Sequence, residues 1–205
     1  IDTNQLIMNA WQCVAKMLNP NMQLKKEDVA RFFGQTLEDA TTIIAKENNI
    51  ENVDLVKASK VYWDYHTTHH NEIVGTFPQI KDTLNSLKKL GIKLGIVTSG
   101  SNNNCEIELD ECGILKYFDA IVGSDNTKLH KPDPFPALLC CKMLNVNPSE
   151  AIMVGDSRHD IACGNRAGCK TVFVSWSFCN DAKNLNDDEK PDYIINQASE
   201  LLNLI

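Results

Sequence analysis

From Gly91 onward, short apolar runs alternate with stretches whose apolar residues recur at helical spacing. The apolar runs predict strands at residues 92–97, 120–123, 151–155, 171–175 and 193–195. The stretches around them predict helices at 79–90, 105–112, 134–144 and 160–167, followed by a short one at 197–204, and three of these are followed by a helix-ending glycine: Gly91, Gly113 and Gly168. Strands that alternate with crossover helices form parallel sheets, so the pattern predicts an α/β fold with a doubly wound parallel sheet.

Residues 4 to about 70 follow a different pattern, because no strand candidate interrupts them. Helical periodicity there predicts helices at 4–18, 26–33, 36–48 and 53–69. We therefore predict a small helical domain over residues 1–74 and an α/β domain over 75–205, joined at the Gly75–Pro78 stretch. Residues 1–3 would lead into the helical domain from the α/β domain. Aromatic and histidine side chains are dense between residues 62 and 70, and we interpret the aromatic ones as packing residues and the histidines as solvated.

Composition and charge exclude several classes of partner. The chain carries 27 acidic and 20 basic residues, for a net charge of -7, with no basic block that would favour nucleic acid or an anionic membrane surface. No apolar run approaches the roughly 20 residues that span a bilayer, and no secretory signal is recognisable. The eight cysteines show neither a CxxC pair nor a zinc-ligand spacing with histidine, which predicts reduced thiols in a cytoplasmic protein.

Polar residues follow the first predicted strand, at Thr98, Ser99 and Gly100. Ligands of open α/β sheets bind at the carboxyl ends of the strands. A hydroxyl there, beside backbone N–H groups that enter a helix, suits a phosphoryl oxygen. The same residues also fit a local serine/threonine turn or a helix N-cap, so this stretch alone leaves both interpretations open.

Lys131 lies in the sequence His-Lys-Pro-Asp-Pro, ahead of the third predicted helix of the α/β region. Pro132 restricts the backbone of the preceding residue, so the lysine is held on a stiff loop. A fixed ammonium could neutralise a phosphate or a carboxylate, although a solvated surface charge is the commoner role of such a residue.

Two aspartates follow the strand predicted at 151–155, at positions 156 and 160. Residues four apart share a helix face, so Asp156 and Asp160 can converge on one site. Carboxylate oxygens at a strand end suit Mg²⁺. The alternative is an N-capping aspartate followed by an acid that interacts with the helix dipole.

These three features, each following its own strand, resemble the motifs of the haloacid dehalogenase (HAD) superfamily of phosphohydrolases, in the phosphoglycolate-phosphatase-like branch with a helical cap. Thr98 resembles the second motif, and Lys131 with its Pro-Asp-Pro setting resembles the third. The fourth, Gly-Asp-Ser-x-x-Asp followed by a helix ending in Ala-Gly, is matched by Gly155, Asp156, Ser157, Asp160, Ala167 and Gly168.

The resemblance implies a Rossmann-like HAD core with a small helical cap, and a Mg²⁺-dependent phosphatase that acts on a small phosphorylated metabolite through an aspartyl-phosphate. It implies Asp156 as a metal ligand, and Thr98, Ser99, Gly100 and Lys131 as the phosphate-binding residues. Thr98, Lys131 and Asp160 would be the catalytic residues, with Asp160 orienting the lysine.

The first motif of the family, Asp-x-Asp, carries its nucleophile and its general acid/base. Ile1-Asp2-Thr3 resembles the residues that follow this motif, so we expect an apolar strand ending in Asp-x-Asp before Ile1. Two other functions fit the same residues: a phosphomutase of the same fold, or a non-catalytic phosphate-binding member if that strand is missing. A response-regulator receiver domain is disfavoured by the helical region and by the segment after Lys131.

Overall fold

A computed structural model of the chain describes residues 1–32, 37–177 and 185–205. The chain divides into two compact units, Asp2–Gly75 and Thr76–Ile205, the second of which also includes Ile1. The division falls between Gly75 and Thr76. Identification of the first unit as a helical cap stays a prediction.

The first unit is built from helices. Its elements are α1 (Asn4–Leu18), α2 (Lys26–Ala30), α3 (Leu37–Glu47) and α4 (Leu55–Ile73). The first helix has the predicted bounds, whereas α4 continues four residues beyond its predicted end at residue 69. The second helix ends at Ala30, before its predicted end at residue 33, and Phe33 and Thr36 themselves lie outside the described residues. A single antiparallel bridge between Asp2 and Gly75 joins the two ends of this unit.

The core of the helical unit is aromatic at its centre. The ring of Trp11 lies 5.1 Å from that of Phe32 and 5.3 Å from that of Tyr62. His66 in turn stacks on Tyr62, with ring centroids 6.1 Å apart, so the predicted solvated position is wrong for this histidine. Burial raises the pKa of Tyr62 to about 12. Aliphatic residues complete the cluster: Ala10, Val14, Ala15, Met22, Val29, Ala40, Ile44 and Ala58.

The second unit alternates strands and helices as predicted. Its strands are β1 (Gly95–Val97), β2 (Ala120–Val122), β3 (Ile152–Gly155), β4 (Lys170–Val174) and β5 (Tyr193–Ile195), and its helices are α5 (Ile80–Lys89), α6 (Asn102–Glu111), α7 (Phe135–Leu144) and α8 (Arg158–Ala167). Every strand pair is parallel, which confirms the predicted α/β class. The last predicted helix is a 3-10 helix, Ala198–Asn203.

The strands pair in two sheets, β1–β2 and β3–β4–β5. Val97 lies opposite Val122 in the first, and Gly155 lies opposite Phe173 in the second. Within the described residues, β1 and β3 do not pair with each other, so each keeps one edge without a strand partner.

The first strand is shorter than predicted and begins at Gly95 instead of Ile92. The Ile92 amide donates to the Leu87 carbonyl and closes the end of α5, at 3.1 Å. The Leu94 amide donates to the Asp119 carboxylate at 2.8 Å. Both amides therefore have acceptors outside the sheet, and the strand begins only after them. The helix ends were better predicted, since Gly91, Gly113 and Gly168 all have positive φ, at 78°, 66° and 81°.

The cysteines are part of the packing. All seven that the structure describes are free thiols, and Cys179 lies outside the described residues. Cys163 and the partly buried Cys169 pack with Ala137 and Ala167, where α7 meets α8. Within the described part of the chain, no helix combines the length and the apolar character needed to cross a membrane.

Candidate active site

The carboxyl ends of β1 and β3 are joined by one side chain, that of Lys131. Its Nζ donates to the carbonyl of Val97, the last residue of β1, at 3.0 Å. The same Nζ donates to Oδ1 of Asp160, in the first turn of the helix that follows β3, at 2.7 Å. Arg166 also contacts the lysine's loop, by donating to the Pro132 carbonyl at 3.0 Å. The last residue of β1 and a residue of the helix after β3 therefore meet at one ammonium, although the two strands belong to different sheets.

The Lys131–Asp160 ion pair is largely buried, since the two side chains keep 14% and 9% of their exposure. Burial by itself raises the pKa of Asp160, but the Lys131 charge, its hydrogen bond and those from Ser157 together hold this pKa below its usual value. Asp160 is therefore a carboxylate at neutral pH.

The carboxylate of Asp160 is held by several donors besides Lys131. Its Oδ2 accepts hydrogen bonds from Ser157 Oγ at 2.7 Å, from the Ser157 amide at 3.2 Å and from the Asp156 amide at 3.3 Å. Ser157 is also the N-cap of α8, because its Oγ accepts from the Asp160 amide. The interpretation of Asp156 as the capping residue is therefore wrong, since the reciprocal Ser157–Asp160 pair forms the cap.

Asp156 instead directs its carboxylate to Ser177, whose hydroxyl donates to Oδ2 at 2.5 Å. Ser177 was missed in the sequence analysis. The same rule would have found it, because it lies three residues beyond the end of β4, on the loop that follows another strand.

The loop after β1 uses its polar groups locally. Oγ1 of Thr98 accepts from the Gly100 amide at 3.1 Å, so the serine/threonine turn considered for this stretch is present. The N-cap of α6 is Ser101, which accepts from the Asn104 amide at 3.3 Å. Because the Thr98 oxygen accepts from a backbone N–H, its own hydroxyl hydrogen remains available to another acceptor. The Gly100 amide, in contrast, is already used within the loop.

A second group of residues absent from the sequence prediction ties this loop to the one after β2. The Gly123 amide donates to Asn102 Oδ1 at 2.7 Å and to Asn126 Oδ1 at 2.8 Å. In return, the Asn102 amide donates to Asp125 Oδ1 at 2.9 Å. Asparagine and aspartate within five residues of the ends of two neighbouring strands were the available signal.

The resemblance implies that Mg²⁺ binds at the end of β3. Asp156 offers a carboxylate and Ser177 a hydroxyl, both of them the hard oxygen ligands that Mg²⁺ takes. Within the described residues, no three His, Cys, Asp or Glu side chains form a group that could hold a metal ion. Mg²⁺ commonly binds through one or two carboxylates together with waters and substrate phosphate, so the residues present fit it in kind.

Comparison with known proteins identifies relatives of the whole chain. It is 37% identical over 204 residues to pyrophosphatase PpaX from Bacillus velezensis, covering 100% of this chain and 90% of the relative. It is 34% identical over 205 residues to pyrophosphatase PpaX from Bacillus cereus, covering 100% and 91%.

Solved structures resemble it over a similar length. One is described as a predicted phosphoglycolate phosphatase from Haemophilus somnus 129PT, with a TM-score of 0.83, 22% identity and coverage of 98% of this chain and 91% of that one. Another is β-phosphoglucomutase from Clostridium difficile, with a TM-score of 0.67, 23% identity and coverage of 98% and 87%. At these identities the structures show the fold alone.

The family model for haloacid dehalogenase-like hydrolases matches residues 1–174. This match covers most of the chain, and the relatives named above cover essentially all of it. The chain belongs to the haloacid dehalogenase-like hydrolase family.

Proposed function

We propose that the protein is a Mg²⁺-dependent phosphatase of small phosphorylated molecules, with a phosphoric anhydride such as pyrophosphate as its leading substrate class. Family membership supports hydrolysis. The preference for an anhydride rests on the relatives from two Bacillus species, both named pyrophosphatase, at 37% and 34% identity. A phosphoric monoester is the second substrate class.

The observation that carries the proposal is the hydrogen bonding of the Lys131 ammonium. Two of its acceptors are fixed, the Val97 carbonyl and the Asp160 carboxylate. An ammonium has three N–H donors. The third has no acceptor among the residues that the structure describes. A cation held in place with one donor unused is suited to a phosphoryl oxygen, because phosphoryl transfer depends mainly on positioning and charge neutralisation.

The reaction proposed is two successive displacements at phosphorus. An aspartate carboxylate attacks the phosphoryl group, the P–O bond to the leaving group breaks, and water then releases inorganic phosphate from the aspartyl-phosphate. We assign the nucleophile to the first aspartate of the family's Asp-x-Asp motif, as the family resemblance implies. The strand edges of β1 and β3 that have no partner within the described residues support this assignment, since their backbone N–H and C=O groups could pair with a further strand.

Thr98 and Lys131 would bind the phosphoryl oxygens, the first through its hydroxyl hydrogen and the second through its remaining N–H. Asp156 would hold Mg²⁺, which when bound offsets negative charge on the phosphate. Asp160 keeps the ammonium in place throughout, and its own ionised state is maintained by that ammonium.

The proposal is tested by phosphate release from the full-length protein with Mg²⁺, comparing pyrophosphate, phosphoglycolate and hexose phosphates. We expect pyrophosphate to be hydrolysed and a chelator to stop the reaction. Asp156→Asn and Lys131→Met should each reduce turnover by about 100-fold or more, the range seen when one electrostatic contact to a transition state is lost. Asp110→Asn, an exposed aspartate on α6, is the matched control.

Full turnover by Asp156→Asn would contradict the proposal. Interconversion of hexose phosphates without phosphate release would instead identify a phosphomutase. Phosphate binding without turnover of any substrate would identify a non-catalytic family member.

A further inference from the structure

We propose that Ser157 is a positioning residue that fixes the Lys131 ammonium through the carboxylate of Asp160. The inference rests on the proposed function, in which this ammonium binds the phosphoryl group, and it adds a residue whose part in the reaction is indirect. Ser157 and Lys131 are distant in the sequence, and no hydrogen bond joins them directly. Asp160 connects them, because one of its oxygens faces each residue.

The two oxygens of Asp160 have different partners. Oδ1 accepts from Lys131 Nζ at 2.7 Å, and Oδ2 accepts from Ser157 Oγ, also at 2.7 Å. Two backbone amides, those of Asp156 and Ser157, approach Oδ2 at 3.3 and 3.2 Å. The shortest contact on Oδ2 is therefore the serine hydroxyl. A carboxylate held on one oxygen cannot rotate about its terminal bond, so its other oxygen stays directed at the lysine.

The direction of the Ser157 hydroxyl follows from its neighbours. Its oxygen is 3.2 Å from the Asp160 amide, which can only donate. It is also 2.7 Å from the Asp160 carboxylate, which when ionised can only accept. The hydroxyl hydrogen must therefore point at Oδ2. The same side chain caps α8 and orients Asp160, so the cap and the ion pair form one hydrogen-bonded unit.

Gly155 makes this arrangement sterically possible. A Cβ at that position would lie 2.2 Å from Asp160 Cβ and 2.7 Å from Asp160 Oδ2. The aspartate thus lies directly over the last residue of β3, and any side chain at Gly155 would displace it. The glycine and the serine together determine where the carboxylate is held.

A purely structural role for Ser157, as helix cap only, makes a different prediction, and two variants separate the roles. Ser157→Ala removes both the cap and the donor to Asp160, whereas Ser157→Thr keeps a hydroxyl for both. Asp54→Ala removes a side-chain cap elsewhere, where Asp54 Oδ1 accepts from the Lys57 amide at 2.9 Å at the start of α4. It is the matched control for loss of a cap.

In the full-length protein we expect Ser157→Ala to lower kcat on the order of 10- to 100-fold, as is usual when a group that orients an active-site residue is lost. KM should change less than kcat. Ser157→Thr should restore most of the rate, and Asp54→Ala should leave it unchanged. A rate loss of equal size in Asp54→Ala, or no recovery with threonine, would overturn the proposal.

A readout that needs no turnover is the ¹H–¹⁵N signal of the Lys131 ammonium, assigned by its disappearance in Lys131→Arg. A held ammonium should give a signal protected from exchange in the unmodified protein and in Ser157→Thr, and a broadened or absent one in Ser157→Ala. An unchanged signal in Ser157→Ala would overturn the positioning role. If the signal responds as expected but no substrate is hydrolysed, the proposed function fails while the positioning role stands.

Discussion

The helical unit buries aromatic rings, whereas the α/β unit buries an ion pair. Trp11 lies at the centre of the first, in contact with Phe32 and Tyr62. The buried polar side chain described there, Thr41, satisfies its hydroxyl within its own helix by donating to the Leu37 carbonyl. In the α/β unit the Asp160 carboxylate is buried and depends on Lys131, 29 residues away in sequence.

The two kinds of burial have different physical requirements. Apolar burial requires only that a surface leave water, so many side chains of suitable size can supply it. A buried carboxylate is tolerated only if charge and hydrogen bonds compensate its lost hydration. The α/β unit meets this requirement at the strand ends, where ligands bind in folds of this class.

The largest effect on stability is expected from the centre of the helical core. Trp11→Ala should lower the free energy of unfolding by about 3–5 kcal/mol, because a large ring is lost from a site that cannot collapse fully. Trp63→Ala is the matched control, since Trp63 is 54% exposed and should cost less than about 1 kcal/mol. Urea denaturation followed by circular dichroism measures both. Equal losses would show that the aromatic core is not the source of this unit's stability.

Breaking the buried ion pair should rank next. Lys131→Met should cost about 3 kcal/mol, at the low end for buried pairs because the lysine side chain keeps 14% of its exposure. Lys88→Met breaks a similar pair with Asp119 at 2.8 Å, whose side chains are 32% and 40% exposed. Its expected cost is about 0.2–1 kcal/mol. Denaturation of the two variants side by side checks the contrast, which would be refuted by similar costs.

A smaller effect is expected from added volume at the site. Gly155→Ala places a methyl group against the Asp160 side chain and should cost about 1–3 kcal/mol, the usual cost of overpacking. The rate of phosphate release should also fall, because displacement of Asp160 disturbs its ion pair with Lys131. Expressed as a free energy, the loss of rate should exceed the loss of stability. Gly75→Ala is the control, because nothing lies within 4 Å of a Cβ there. Thermal unfolding and phosphate release should both distinguish the two variants.

The smallest effect concerns pH and the helical unit. Burial raises the pKa of Tyr62 to about 12 from an ordinary value near 10. Below pH 10 the tyrosine is protonated in both states and has no effect. Between pH 10 and 12 the unfolded chain loses this proton first, so stability should fall by about 1 kcal/mol per pH unit. Tyr62→Phe should remove that part of the alkaline loss, as measured by urea denaturation at pH 9 and pH 11. An identical alkaline loss in both proteins would contradict the assignment.

Regular elements were the most predictable part of the fold. The period of the apolar residues located every strand of the α/β unit, and the glycines after α5, α6 and α8 marked their ends. The start of β1 was misjudged because Asp119, distant in sequence, takes the Leu94 amide through its side chain. A local apolar pattern contains no information about such a partner.

Residue types and spacing predicted which positions would carry polar groups at the strand ends, including Thr98, Lys131, Asp156 and Asp160. The contacts that each of these side chains makes were not predictable in the same way. The position of a residue in the chain did not show that Ser157, and not Asp156, caps α8, or that Ser177 contacts Asp156.

The sequence by itself determined the α/β class, the helical region before it and the family motifs, because periodicity, glycine positions and local spacing are properties of the chain. Tertiary structure alone decided that the Val97 carbonyl and the Asp160 carboxylate meet at Lys131. It also decided that Asp160 lies over Gly155 closely enough to exclude a side chain there. Hydrogen bonds and steric contacts act over a few ångströms, and only folding brings distant residues within that range.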